Sequence, residues 1–156
     1  MLMKIQQNVL AATYPDLFKA GIVYSGVPAG CFVSTSGGVD AWNNTCANGQ
    51  AKATPAAWAS VVKNMYPGFN GSYPKMQIYH GSSDTTLLPN NYNETVKQWA
   101  GVFGYTYPAP SIVHNKPQSN YETENFGAML QGIYAQGVGH TVPIRGSDDM
   151  AFFGIA

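Results

Sequence analysis

The chain has 156 residues, formal net charge zero and only 10% charged residues, far below the roughly one quarter of an average protein. It has no Lys/Arg-rich run, which argues against nucleic acid or an anionic membrane surface as a partner, and no stretch approaches the ~20 apolar residues needed to span a bilayer. With 45% hydrophobic residues, it suits one domain, residues 1–156, with its own core.

In chain order, Lys4 to Thr13 reads as the end of a helix, with Ile5, Val9, Leu10 and Ala12 on one stripe and Tyr14-Pro15-Asp16 as its stop. Ala20 to Ser25 is a short continuous apolar run of the kind buried on both faces of a parallel sheet. Gly26 to Thr54 reads as one long loop, the sort that commonly carries function. Thr54 then caps a helix reaching Met65, with Pro55 at its first position. Met76 to His80 reads as a second strand, and Gly81 to Asp84 as a tight turn. An amphipathic helix follows from Pro89 or Asn90 to Phe103. Three extended pieces come after Pro108, at Ser111 to Asn115, Asn120 to Phe126 and Met129 to Ala135. This order predicts an α/β fold with a mostly parallel sheet, whose chemistry sits at the carboxyl ends of its strands.

Two cysteines, Cys31 and Cys46, bracket a stretch rich in Gly, Ser, Thr and Asn. A disulfide there closes a loop of about 15 residues and stabilises by roughly 3 kcal/mol in the chain-entropy model; the alternative is two buried thiols. Glycosylation sequons begin at Asn43, Asn70 and Asn93, each in a polar stretch. Cysteine pair and sequons together favour a secreted, extracellular protein. No apolar signal segment follows Met1, which then points to a missing N-terminus.

Two segments carry the candidate chemistry. Asp84 follows a strand and a glycine turn, and a fixed carboxylate in that place can hold one tautomer of an imidazole. By itself it reads sooner as a turn Asp bonding its own backbone. His140 lies in Gly137-Val138-Gly139-His140, where glycines let an imidazole approach other backbone; by itself it reads as a surface His. The order acid then base is that of α/β-hydrolases. No Gly-x-Ser-x-Gly occurs. Ser25 follows a strand without an elbow around it, and Cys31 is better explained by a disulfide. His80 and His114 lack metal-ligand spacing, Asp148-Asp149 reads as an exposed acidic turn, and no metal or cofactor is expected.

Five segments, Asn8 to Gly26 (NVLAATYPDLFKAGIVYSG), Trp58 to Tyr66 (WASVVKNMY), Met76 to Thr86 (MQIYHGSSDTT), Gln98 to Tyr105 (QWAGVFGY) and Leu130 to Pro143 (LQGIYAQGVGHTVP), resemble the fungal acetyl xylan and feruloyl esterases of carbohydrate esterase family one. The resemblance implies an α/β-hydrolase fold of which this chain is the C-terminal part, and secreted hydrolysis of acetyl or feruloyl esters on xylan. It implies Asp84 as the acid and His140 as the base of a serine triad. It also implies Trp42 as a cleft aromatic suited to a sugar ring or an acyl pocket, against the alternative of a Trp that merely packs its loop. In the family register the nucleophilic serine falls at Met1 and the elbow's closing glycine at Met3. The chain is therefore expected to be an incomplete, inactive form of the enzyme, or a non-catalytic fragment that binds xylan. The resemblance also implies that the strands preceding the elbow are missing from it, which leaves Ala20 to Ser25 as a sheet edge or paired with something else.

Overall fold

A computed structural model describes residues 3–33 and 42–155, with side chains from Gln7 onward. Five strands form one sheet: β1 (Ala20–Tyr24), β2 (Lys75–Gly81), β3 (Ser111–His114), β4 (Tyr121–Gly127) and β5 (Leu130–Ala135). Their spatial order is β1-β2-β5-β4-β3. β1, β2 and β5 run parallel, while β5–β4 and β4–β3 are antiparallel. The sheet is thus mixed rather than mostly parallel. The reason lies in the short turns joining β3, β4 and β5: a parallel connection needs a crossover of a dozen residues or more. Asn115 and Asn120, with φ of 56° and 64°, take the left-handed backbone of the β3–β4 turn, a conformation Asn tolerates. β1 ends the sheet among the described residues, as expected.

Among the described residues five helices accompany the sheet: α1 (Met3–Thr13), α2 (Asn44–Ala47), α3 (Pro55–Lys63), α4 (Asn90–Phe103) and α5 (Gly146–Phe153). Thr54 Oγ accepts from Ala57 N at 3.1 Å and Pro55 opens α3. This helix stops at Lys63, short of Met65. Gly104, with φ 72°, closes α4, a left-handed cap that glycine supplies without strain. Two elements were not foreseen. α2 forms inside the long loop because Asn43 Oδ1 caps Cys46 N at 3.0 Å. α5 takes up Asp148 and Asp149, which are its first-turn acids rather than an exposed turn. Carboxylates are favoured at that end of a helix, and Asp149 Oδ1 accepts from Tyr24 Oη at 2.7 Å.

Side chains alternate across the strands and so build two cores. Val23, Met76, Ile78 and Leu130 face Ala11 and Ala12 of α1, Val62 of α3 and Tyr92, Val96 and Trp99 of α4. Ile22, Tyr24, Tyr79, Ile133 and Ala135 face the other way, with Val142 and Phe152 against them. Gly101 allows α4 to touch the start of α3, since a Cβ there would lie 2.1 Å from the Pro55 carbonyl oxygen.

Candidate active site

The acid turn begins where β2 ends. Asp84 is 1% exposed. Its Oδ1 accepts from Thr86 N and Leu87 N, both at 2.9 Å. Its Oδ2 lies 2.8 Å from His140 Nδ1. Asp84 thus bonds its own turn with one oxygen and meets an imidazole with the other. A carboxylate only accepts, so the proton between them sits on His140 Nδ1, leaving Nε2 as the ring's acceptor.

His140 reaches Asp84 because its loop lies on the end of β2. Ser82 N and Ser83 N donate to Ala135 and Val138 carbonyls at 2.9 Å each, and Gly137 N donates to Ser82 Oγ at 2.8 Å. Gly81 makes this approach possible: a Cβ there would sit 2.1 Å from the Val138 oxygen. Beyond His140, Val142 N donates to Ser25 Oγ at 3.1 Å. Ser25 is 0% exposed, so its hydroxyl anchors the loop and is not an accessible nucleophile. The His140 side chain itself keeps 19% of its surface in solvent, which leaves a way in for a reacting group.

Sequence reasoning weighed His80 only as a metal ligand. It lies buried beside the pair, with Nε2 2.9 Å from the Leu87 oxygen and 3.5 Å from Asp84 Oδ2. Burial pushes its pKa down; the Leu87 bond and the Asp84 charge oppose this, and His140 adds to it. The balance favours the neutral ring. The usable signal was its place as an imidazole four residues before a turn Asp. His114 instead meets Glu122 at 2.9 Å on the exposed β3–β4 surface. Among the described residues no group of three or more His, Cys, Asp or Glu could hold a metal ion.

The remaining candidates lie on the long loop. Cys31 and Cys46 form a disulfide with Cα atoms 5.7 Å apart. Trp42 is 48% exposed, stands edge-on to Phe32 at 5.2 Å and donates to Asn44 Oδ1 at 2.9 Å. It packs on its loop while about half of it stays in solvent. Asn70 and Asn93 are exposed, whereas Asn43 is half-buried as the α2 cap. Met1, the family position of the serine, lies outside the described residues, as do Asp40 and Ala41 beside Trp42. The side chain of Met3 is likewise not described.

No family model matches the chain. It is 68% identical over 155 residues to a probable acetylxylan esterase A of Aspergillus terreus, covering 99% of this chain and 50% of that protein. It is 63% identical over 150 residues to the acetylxylan esterase A of Talaromyces purpureogenus, covering 96% and 39%. The solved acetyl xylan esterase of Aspergillus awamori superposes with a TM-score of 0.96 at 60% identity, over 98% of this chain and 56% of that one. The chain is a homologue of these esterases. It spans about half the length of the curated relatives it matches, and the α/β fold is shared with the solved esterase. The named esterases are acetyl xylan enzymes, so the resemblance read from the sequence holds on its acetyl side.

Proposed function

We propose that this chain carries the acid and the base of a secreted serine esterase that removes acetyl groups from xylan. In this reading it is the C-terminal part of an α/β-hydrolase domain of carbohydrate esterase family one. The observation that carries the reading is the 2.8 Å contact between His140 Nδ1 and a buried Asp84 whose other oxygen is already engaged. In that arrangement His140 Nε2 takes the proton of an attacking serine hydroxyl and returns it to the departing sugar alkoxide. Asp84 stays ionised and stabilises the imidazolium between the two transfers.

The chain has no Gly-x-Ser-x-Gly segment and matches about half of its relatives' length. We assign the nucleophile and the oxyanion-hole donors to sequence outside it. Trp42 supplies an exposed indole that suits stacking on a xylose ring. The disulfide supports a secretory origin; no described helix is long and apolar enough to cross a membrane. Asn70 and Asn93, both exposed, are the sequons most open to glycosylation.

The test joins this chain to a nucleophile-bearing upstream segment and assays acetylated xylan, p-nitrophenyl acetate and a feruloyl ester. Acetate release that vanishes in His140→Ala is the expected result, with the feruloyl ester the poorer substrate. Most activity surviving in His140→Ala would remove this residue from the reaction. Xylan binding without hydrolysis by the joined form would favour a binding remnant.

A further inference from the structure

A second imidazole stands beside the acid–base pair, and proton transfer does not require it. His80 is 0% exposed, and its Nδ1 has no hydrogen-bond partner among the described residues. Leaving a buried acceptor unmatched is a cost that an apolar side chain in the same space would avoid. What the ring gains is on its other nitrogen. The Leu87 carbonyl can only accept, so the bond at 2.9 Å places the proton on Nε2.

The Leu87 residue is therefore gripped at both ends. Its N–H donates to Asp84 Oδ1, and its carbonyl accepts from His80. This closes a ring that runs from β2 through the acid turn and back to β2. Within it the carboxylate cannot rotate without breaking the bonds to Thr86 and Leu87. The same ring nitrogen lies 3.5 Å from Asp84 Oδ2. Because the ring is kept neutral by burial, it does not compete as a second cation for the oxygen that holds His140.

We propose that His80 is a positioning residue: by holding the Leu87 carbonyl it fixes the turn that aims Asp84 Oδ2 at His140 Nδ1, and so sets the tautomer of His140. The inference rests on reading Asp84 and His140 as an acid–base pair.

Imidazole nitrogen shifts in the ¹⁵N-labelled chain, at a pH where the His140 ring is neutral, test it without any assay of activity. The native chain is expected to hold His140 in the Nδ1–H form. His80→Gln, whose amide can reach the Leu87 oxygen, retains that form. His80→Met, of similar length but without a donor, shifts the tautomer ratio toward Nε2–H by roughly five- to tenfold, the worth of one ordinary hydrogen bond. A native tautomer ratio in His80→Met would overturn the proposal. Should His80→Met not fold, His80→Asn, with an amide too short to reach, decides: Gln native and Asn shifted supports the role, and Gln and Asn alike overturns it. A native chain lacking the Nδ1–H form would overturn the pair itself, and this inference with it.

Discussion

The loops that leave β1 and β2 start from the same end of neighbouring parallel strands, yet they are held in opposite ways. The acid turn after β2 is short; Ser82 and Ser83 tie its start to the loop after β5, and the rest is held from within, by Asp84 Oδ1 on Thr86 and Leu87 and by His80 on the Leu87 carbonyl. The loop after β1 is long and held from outside. Asn8 Nδ2 donates to the Val27 carbonyl at 2.7 Å, and Gln98 bonds both the N–H and the carbonyl of Ala29. The Cys31–Cys46 bridge closes its middle. Glu94 takes Ala53 N, at its end, together with Trp58 Nε1. Ordering a longer loop costs more entropy, so it needs more ties, but none of them has to aim a single atom. In the short turn the ties at Thr86 and Leu87 bear directly on where one carboxylate oxygen points. The two meet where Leu88 N donates to the Ala47 carbonyl at 2.8 Å.

This contrast can be broken on either side. The largest expected effect is at Gly81→Ala, whose Cβ cannot share space with the Val138 carbonyl. About 3 kcal/mol of stability should go, and the His140 loop should be pushed off the acid turn, so thermal unfolding and acetyl esterase activity of the joined form fall together. Replacing Cys31 and Cys46 together by Ser should also cost about 3 kcal/mol. Here denaturant unfolding shifts while turnover per folded molecule stays within a few-fold, because the bridge places a surface rather than an atom. Loss of chemistry in step with stability would show that the two loops are one unit.

A smaller and pH-dependent effect is expected at Glu94→Gln. Burial would raise this carboxyl, but bonds from Lys97, Trp58 and Ala53 outweigh it and hold its pKa below the ordinary 4.5. A carboxyl lowered on folding adds stability above about pH 4.5 and loses it as the pH falls through the folded value. The substitution should therefore cost about 1–2 kcal/mol near neutral pH, and the gap to the native chain should narrow as the medium is acidified toward pH 3. A gap that stays constant with pH would assign the loss to packing.

Much of the scaffold was legible because it depends on local chemistry. Thr54-Pro55 and Gly104 mark helix ends by capping, and the runs at Ala20 and Met76 have the length and apolarity of buried strands. The extended pieces after Pro108 are legible strand by strand; the expectation of a mostly parallel sheet fails there, since turn length rather than composition decides direction. α5 was missed because its place depends on a distant partner, the Tyr24 hydroxyl that Asp149 accepts from. At the site, motif and order single out Asp84 and His140 as candidates. Their 2.8 Å contact depends on Gly81 and Ser82 meeting the loop after β5. Neither this nor the role of His80 has a local signature, because both arise between segments far apart in sequence.

The most direct test of the central claim is acetate release from acetylated xylan by the joined form carrying Asp84→Asn. The amide keeps the shape of the turn but can no longer stabilise an imidazolium or enforce the Nδ1–H tautomer. Turnover should fall by about 10⁴-fold with little change in thermal stability. Turnover within a few-fold of the native form would contradict the assignment of Asp84 as the acid of an esterase.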